Sequence, residues 1–245
     1  MANLREALRR KAIHRSVDVQ SARALLKTLS KNDLVILASP VRAIREILSS
    51  LPRDVLVTDV GSTKASIVAA ADKLGLRFVG GHPIAGTENT GAKAGDLNLF
   101  KERLWILTPG KKAQTGDVAK LAKLWKQLGA KTQVMKAAEH DRIFATVSHL
   151  PHVVAMTLLL CGKNQQDKLQ FIGSGFNTTT RIAKANLKMW RDIFFGNRQE
   201  ILKQLTFYQN NLTSLEQVLR NKDQDALDQW LQSCQQLQQP LGQTE

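Results

Sequence analysis

The first 136 residues alternate between short apolar runs and longer amphipathic segments. Residues 33–38 and 55–58 are almost wholly apolar, which is typical of strands buried on both faces of a sheet. Three more strands are predicted at residues 76–80, 104–107 and 132–135. Apolar residues with helical spacing lie between them, at residues 41–49, 63–74 and 118–128. Alternation of this kind predicts a doubly wound α/β domain with a parallel sheet.

From Ala137 onward the pattern is helical. Residues 137–160 form one long apolar helical pattern that contains Pro151, and residues 187–219 and 224–237 predict further helices. No strand pattern separates them in the sequence. We therefore expect two domains, with the sheet in residues 1–136 and only helices in residues 137–245.

Turn and cap residues mark the ends of several predicted elements. Ser62 is a good N-cap for the helix that follows, and Gly75 suits the position after its last turn. Residues 80–86 contain three glycines and a proline, which favours a loop over helix or regular sheet. In parallel sheets, ligands bind at the carboxyl ends of the strands. Residues 39–40, 59–62 and 80–86 fall at such ends.

The charge balance is strongly basic, but it does not predict nucleic-acid binding. The chain carries 35 Lys and Arg against 21 Asp and Glu, which gives a net charge of +14. The charges are scattered and aromatic residues make up only 5%, so no stacking surface for bases is visible. Solvated faces or the steering of small anions explain them as well. We expect no nucleic-acid partner.

Composition also indicates the cellular compartment of the protein. Hydrophobic residues make up 43% of the chain, as in globular domains. No apolar run approaches the roughly 20 residues of a membrane span. The two cysteines lack metal-binding spacing and suit a reducing compartment. We therefore expect a cytoplasmic protein without a membrane partner.

Three histidines and an arginine are candidates for chemistry. His82 lies in the sequence GGHPIAGTE and suits proton transfer near neutral pH, although a core histidine bonded to backbone is the alternative. His149 and His152 are three residues apart, on one face of a predicted helix, without a third ligand for zinc. Arg181 suits a carboxylate, or a surface ion pair.

Four sequence blocks together resemble one enzyme family. They are DVGSTK at residues 59–64, GGHPIAGTE at 80–88, SHLPH at 148–152, and TRIA followed by MWRDI between 180 and 193. They resemble the prephenate/arogenate dehydrogenases of tyrosine biosynthesis. The resemblance implies a Rossmann-like domain followed by a helical dimerisation domain. It also implies oxidative decarboxylation of prephenate or arogenate with NAD or NADP.

The resemblance also implies roles for individual residues. His82 would bond to the substrate hydroxyl, and Ser62 would orient His82. The dicarboxylate substrate would contact His149, His152, Arg181 and Glu88. Cofactor contacts would come from Ser39, Pro40, Val41, Asp59 and Ser62. The C-terminal helices would form a homodimer.

The sequence departs from the family pattern at its amino-terminal end. Dinucleotide-binding folds contain G-x-G-x-x-G after their first strand, yet no glycine precedes Gly61 here. The resemblance implies that about 30 residues, one βα unit and the next strand, are absent. A shortened or decayed gene, a misplaced start and a different role are three explanations. The alternative to an active enzyme is a catalytically impaired or non-catalytic remnant of the family that acts as a binding or regulatory subunit. The choice between NAD and NADP depends on the absent strand.

Overall fold

A computed structural model describes residues 2–17, 24–86, 95–162 and 171–238. They fall into two compact units, Met1–Arg198 and Gln199–Glu245, and the first contains all five strands. The strands are β1 (Leu34–Leu37), β2 (Leu56–Asp59), β3 (Phe78–Pro83), β4 (Leu104–Pro109) and β5 (Lys131–Val134). The helices among and before them are α1 (Ala2–Arg9), α2 (Val41–Leu48), α3 (Ala65–Leu74) and α4 (Thr115–Gln127).

The rest of the described chain is helical, as predicted. Helix α5 (Ala137–Phe144), a π-helical turn (Ala145–His149) and α6 (Leu150–Cys161) form one continuous helix. They are followed by α7 (Ser174–Thr180), a 3₁₀ helix (Arg181–Lys184) and α8 (Leu187–Gly196), and then by α9 (Arg198–Asn221) and α10 (Gln224–Gln238). The single helix predicted over residues 187–219 is wrong, because it is broken at Asn197.

The sheet is mostly parallel, with the strands in chain order from β1 to β5. The pairs β1–β2, β2–β3 and β4–β5 are parallel, whereas β3 and β4 are antiparallel. The prediction of a wholly parallel sheet is therefore wrong at one pair. An antiparallel neighbour needs no helical crossover, so the chain can turn back beside β3.

The two faces of the sheet have separate cores. On one side α2 and α3 pack against β1, β2 and β3, around the fully buried residues Ile44, Ile67 and Phe78. On the other side lies a second cluster, in which the rings of Trp105 and Trp125 stack with centroids 3.9 Å apart. Helices on both faces confirm the doubly wound α/β class.

The glycine pair before His82 lies in a strand rather than a loop. Gly80 and Gly81 belong to β3 and pair with Thr108 and Leu107 of β4, so the strand predicted over residues 76–80 continues past Gly80 and the loop prediction is wrong at Gly81. A Cβ added at Gly80 would overlap the Thr108 hydroxyl, and one at Gly81 would overlap the carbonyl oxygen of Asp59. The glycines are needed because neighbouring groups approach the strand closely.

Helix α3 is capped at its two ends by different means. Gly75 adopts the left-handed conformation, with φ 70°, which confirms its predicted place after the helix. The N-cap prediction for Ser62 is wrong, because the helix begins at Ala65. The carboxylate of Asp141, from α5, accepts the N–H groups of Lys64 and Ala65 at 2.7 and 2.9 Å. A distant side chain thus replaces the local cap.

The long helix over Ala137–Cys161 changes its winding before Pro151. The Leu150 N–H bonds to the Ala145 carbonyl, five residues back. Proline lacks an N–H and crowds the preceding turn, which explains why the helix widens here. By length and composition alone this helix is apolar enough to cross a membrane, and 22% of its most apolar 18-residue stretch is buried. Its polar residues His140, Asp141 and His149 are buried within the first unit.

We predict that Gly81→Ala destabilises the fold by about 1–3 kcal/mol, the usual cost of overpacking. The added methyl group has no room beside the Asp59 carbonyl. Urea unfolding of the purified chain measures the change.

Gly116→Ala is the matched control, because a Cβ at this α4 position meets nothing within 4 Å. Alanine in a helix is favoured over glycine by roughly 0.5–1 kcal/mol. Equal unfolding free energies for the two variants would contradict the packing argument.

Candidate active site

A buried ion pair holds together the carboxyl end of β2 and the middle of β3. Lys64 and Asp59 form this pair, and both side chains are completely buried. The Lys64 ammonium also donates to the Gly81 carbonyl at 2.7 Å. The Asp59 carboxylate accepts the N–H groups of Gly61 and Gly81 at 2.8 and 3.0 Å. These bonds fix the backbone on the N-terminal side of His82.

His82 begins a chain of three polar side chains. Its Nδ1 lies 2.8 Å from Nε2 of His140, and Nδ1 of His140 lies 2.8 Å from a carboxylate oxygen of Asp141. The His82 ring also packs against Phe144, with centroids 4.9 Å apart. The structure therefore brings the predicted catalytic residue into contact with α5.

Burial is the main electrostatic influence on these histidines. It lowers the pKa of His82 well below 6.5, and the positive charge of Lys64 adds to this effect. Burial also lowers the pKa of His140, although the Asp141 carboxylate opposes the shift. Both rings are therefore neutral near pH 7. A neutral imidazole can accept a proton.

The second pair of predicted histidines packs around Trp190 of α8. The His152 ring stacks on Trp190 with centroids 3.6 Å apart, and its Nδ1 donates to the Ser148 carbonyl at 2.9 Å. His149 is 1% exposed and meets the indole edge-on. Burial lowers the pKa of His149 to about 4 and also lowers that of His152. Both are therefore neutral near pH 7.

Asn197 connects His149 to the rest of the site. Its side-chain amide N–H groups point toward the Asp141 carbonyl at 2.6 Å and Nδ1 of His149 at 3.2 Å. Asn197 lies directly after α8, where the helix ends, and is 4% exposed. The break between α8 and α9 thus places the Asn197 amide in the histidine cluster, by which we mean His82, His140, Asp141 and His149.

The other predicted site residues lie around this centre or apart from it. Ser39 and Ser62 are partly exposed and Pro40 is exposed, whereas Val41 is buried at the start of α2. Arg181 is exposed and forms no ion pair within residues 2–17, 24–86, 95–162 and 171–238. Glu88 lies outside the described residues. The Asp59 side chain has no exposed surface for a cofactor.

Comparison with known proteins identifies the family of this chain. Residues 5–134 match the nucleotide-binding domain of prephenate dehydrogenase, and residues 136–233 match its dimerization domain. The chain belongs to the prephenate dehydrogenase family.

Curated relatives and solved structures of this family extend over most of the chain. It is 30% identical to prephenate dehydrogenase of Lactococcus lactis, over 91% of this chain and 65% of the relative. It is 33% identical to cyclohexadienyl dehydrogenase of Zymomonas mobilis, over 80% of this chain and 70% of the relative. The chain thus spans about two thirds of the length of these relatives.

The solved structures agree in fold. Prephenate dehydrogenase of Aquifex aeolicus, in complex with hydroxyphenyl propionate and NAD+, is 31% identical with a TM-score of 0.78. That alignment covers 98% of this chain and 93% of the other. Arogenate dehydrogenase of Synechocystis is 28% identical with a TM-score of 0.75, over 89% of this chain and 81% of the other.

The start of α2 and the cleft beside it offer hydrogen-bond donors to a ligand. Helix α2 starts at the carboxyl end of β1 without a side-chain cap from the described part of the chain, so its first N–H groups can meet an acceptor. Val41, Arg42 and Arg45 also line a cleft of about 770 Å³. Ser66 lines the same cleft, and its hydroxyl is buried without a partner among the described residues. Glu46 and Asp192 line this cleft as well, so its charges are of both signs.

Sequence reasoning missed four residues of this buried polar cluster: Lys64, His140, Asp141 and Asn197. The adjacent His-Asp pair at 140–141 was a visible signal on the helix that carries His149. In an unbroken α-helix, however, nine residues place two side chains on roughly opposite faces. The π-helical turn at Ala145–His149 changes the angle between these two side chains around the helix axis, and no local sequence pattern predicts that turn. Neither the Lys64 contacts nor the break at Asn197 follows from local pattern.

We predict that Lys64→Met destabilises the protein by about 3–5 kcal/mol, because the Asp59 carboxylate would remain buried without a counter-charge. Chemical denaturation monitored by tryptophan fluorescence measures the loss.

Lys73→Met provides the comparison, since Lys73 is exposed on the same helix, α3. Its effect should stay within about 0.5 kcal/mol. If both variants unfold at the same denaturant concentration, the buried pair does not have the assigned structural role.

Proposed function

We propose that this chain catalyses NAD- or NADP-dependent oxidative decarboxylation of prephenate or arogenate. In this reaction hydride leaves the ring carbon that bears the hydroxyl, the hydroxyl loses its proton, and aromatisation drives the loss of carbon dioxide. The observation that carries the proposal is His82. It is held at the end of β3 as a neutral imidazole, beside the carboxyl end of β2.

In this proposal His82 accepts the proton of the substrate hydroxyl. Its Nδ1 is engaged by His140, so Nε2 is the nitrogen available to a ligand. Ser62 lies in the loop between β2 and α3, and it would orient the reacting groups next to His82. Asp59 would act only indirectly, because its carboxylate is occupied by Lys64 and two backbone N–H groups.

The substrate carries two carboxylates and needs donors for both. His149, His152, Arg181 and Glu88 are the proposed substrate residues, and of these Arg181 and His149 are the proposed donors, whereas Glu88 is a carboxylate and can only accept. Arg181 is exposed, as an arginine that awaits a ligand must be, and a guanidinium binds a carboxylate through two parallel hydrogen bonds. His152 uses its one N–H, at Nδ1, to bond to the Ser148 carbonyl, so Nε2 of the neutral ring would accept a hydrogen bond from a ligand rather than donate to a carboxylate.

The cofactor would lie over the carboxyl ends of β1 and β2. Ser39, Pro40 and Val41 would contact it at the start of α2, and Ser62 would contact it from the next loop. When bound, the nicotinamide supplies the acceptor for the hydride. The related Aquifex structure contains NAD+, which supports this class of cofactor.

We further propose a cytoplasmic homodimer, with the domain boundary near Ala137. The C-terminal helix α9 exposes apolar side chains, including Leu202 at 53% and Leu212 at 49%. Exposed apolar surface of this kind marks an interface. A second copy is the proposed occupant, because residues 136–233 match a family dimerization domain.

The decisive experiment is reduced-cofactor formation by the purified 245-residue chain. Prephenate and arogenate are each supplied with high concentrations of NAD or NADP. Turnover supports the proposal and identifies the substrate and cofactor. A folded chain without turnover under all four conditions would instead support a non-catalytic binding or regulatory subunit.

We predict that His82→Ala lowers kcat by about 10²- to 10⁴-fold, the usual contribution of a positioned base. His14→Ala is the control, because His14 is an exposed histidine outside the cluster. Circular dichroism should show both variants folded. Unchanged turnover in the His82→Ala variant would show that His82 is not the catalytic base.

The pH dependence gives a separate prediction. The neutral form of His82 is the active one, so activity falls as pH decreases through its pKa. Because burial holds this pKa well below 6.5, the acid limb of kcat/KM should lie below pH 6.5. A profile measured from pH 4.5 to 9 tests this, and an acid limb above pH 6.5 would contradict the assigned environment.

A further inference from the structure

Asp141 contacts two branches of the histidine cluster through different atoms. Its carboxylate bonds to His140, which bonds to His82. Its backbone carbonyl accepts from Asn197, which also contacts His149. The branches end on His82 and His149, which we propose face the substrate. The direction of each hydrogen bond therefore decides which ring nitrogen carries the proton.

The first branch has only one consistent direction when both rings are neutral. A carboxylate is an acceptor, so Nδ1 of His140 must carry the proton that it shares with Asp141. Nε2 of a neutral His140 is then an acceptor. His82 must donate its Nδ1–H to this nitrogen across 2.8 Å, which leaves its own Nε2 without a proton.

The second branch runs the opposite way. The Asp141 carbonyl is an acceptor, so the Asn197 atom 2.6 Å from it must be the NH₂ group. The same group lies 3.2 Å from Nδ1 of His149 and donates to it. Nδ1 of His149 is therefore unprotonated, and the proton of the neutral ring sits on Nε2.

We infer that Asp141, acting through His140 and Asn197, fixes opposite tautomers of the two histidines, so that Nε2 of His82 is an acceptor and Nε2–H of His149 is a donor. His140 and Asn197 are positioning residues under this inference. It rests on the proposed function only where it assigns these rings to a ligand. His82 would then accept a hydrogen bond from a ligand hydroxyl, and His149 would donate one to a ligand oxygen.

The burial of the cluster agrees with this assignment. His140 is fully buried and Asp141 is 2% exposed, so water does not compete for their bonds. Burial lowers the pKa values of all three rings, which keeps them neutral near pH 7. Only a neutral ring has distinct tautomers.

Nitrogen NMR of the histidine rings tests the inference directly. The full chain contains five histidines, so a long-range ¹H–¹⁵N spectrum of ¹⁵N-histidine-labelled protein at pH 7.5 resolves a small set of rings. Single substitutions assign them. We expect protonated Nδ1 and unprotonated Nε2 for His82, and the reverse for His149. Protonation of Nε2 in His82, or of Nδ1 in His149, would overturn the inference.

His140→Phe tests whether His140 sets the tautomer of His82. Removing the acceptor should shift His82 toward the Nε2–H form and lower kcat by about 10- to 100-fold, as loss of a supporting residue does, with a smaller change in KM. His14→Phe is the matched control and should change neither. A His82 spectrum unchanged in a folded His140→Phe variant would overturn the role of His140.

The spectra do not depend on turnover, so the two proposals fail separately. A chain without dehydrogenase activity that shows the expected tautomers would contradict the proposed function alone. Full activity with a protonated Nε2 of His82 would contradict the tautomer inference alone.

Discussion

The Asp141 carboxylate is the constraint on which the arrangement of the site depends. It accepts two N–H groups at the start of α3, where the helix dipole favours a negative charge. It also holds His140, and its own backbone carbonyl holds Asn197. A residue of α5 thereby fixes the first turn of a helix that packs on the sheet. The histidines of the long helix cannot shift relative to His82 unless these bonds break.

The pair formed by Lys64 and Asp59 has a different physical basis. Burial of two charges carries a desolvation cost that their attraction repays only with good geometry and further hydrogen bonds. Here the remaining lone pairs and protons meet Gly61 and Gly81. Such a pair contributes more to position than to net stability. It holds the carboxyl end of β2 against the middle of β3 and places a cation near His82, which disfavours protonation of the ring.

Much of the fold follows from periodicity, because strands buried on both faces and amphipathic helices have distinct patterns. The site is less predictable, since it depends on exceptions to local rules. Gly80 and Gly81 have the composition of a loop, yet they form a strand that neighbouring groups approach closely. Ser62 is of a residue type that often caps helices, yet the helix start is capped by the carboxylate of Asp141, 76 residues away from Ala65. Contacts of such long range leave no trace in a local pattern.

The π-helical turn explains how one helix supplies groups with different tasks. Pro151 disrupts the regular winding, and the wider turn at Ala145–His149 alters the direction of every side chain after it. His140 therefore faces His82, while His149 faces Asn197 and Trp190. His82, His140 and His149 all carry imidazole rings, but each ring has different hydrogen-bond partners. Environment rather than residue type decides which nitrogen accepts and which donates, as in other sites where identical groups take opposite roles.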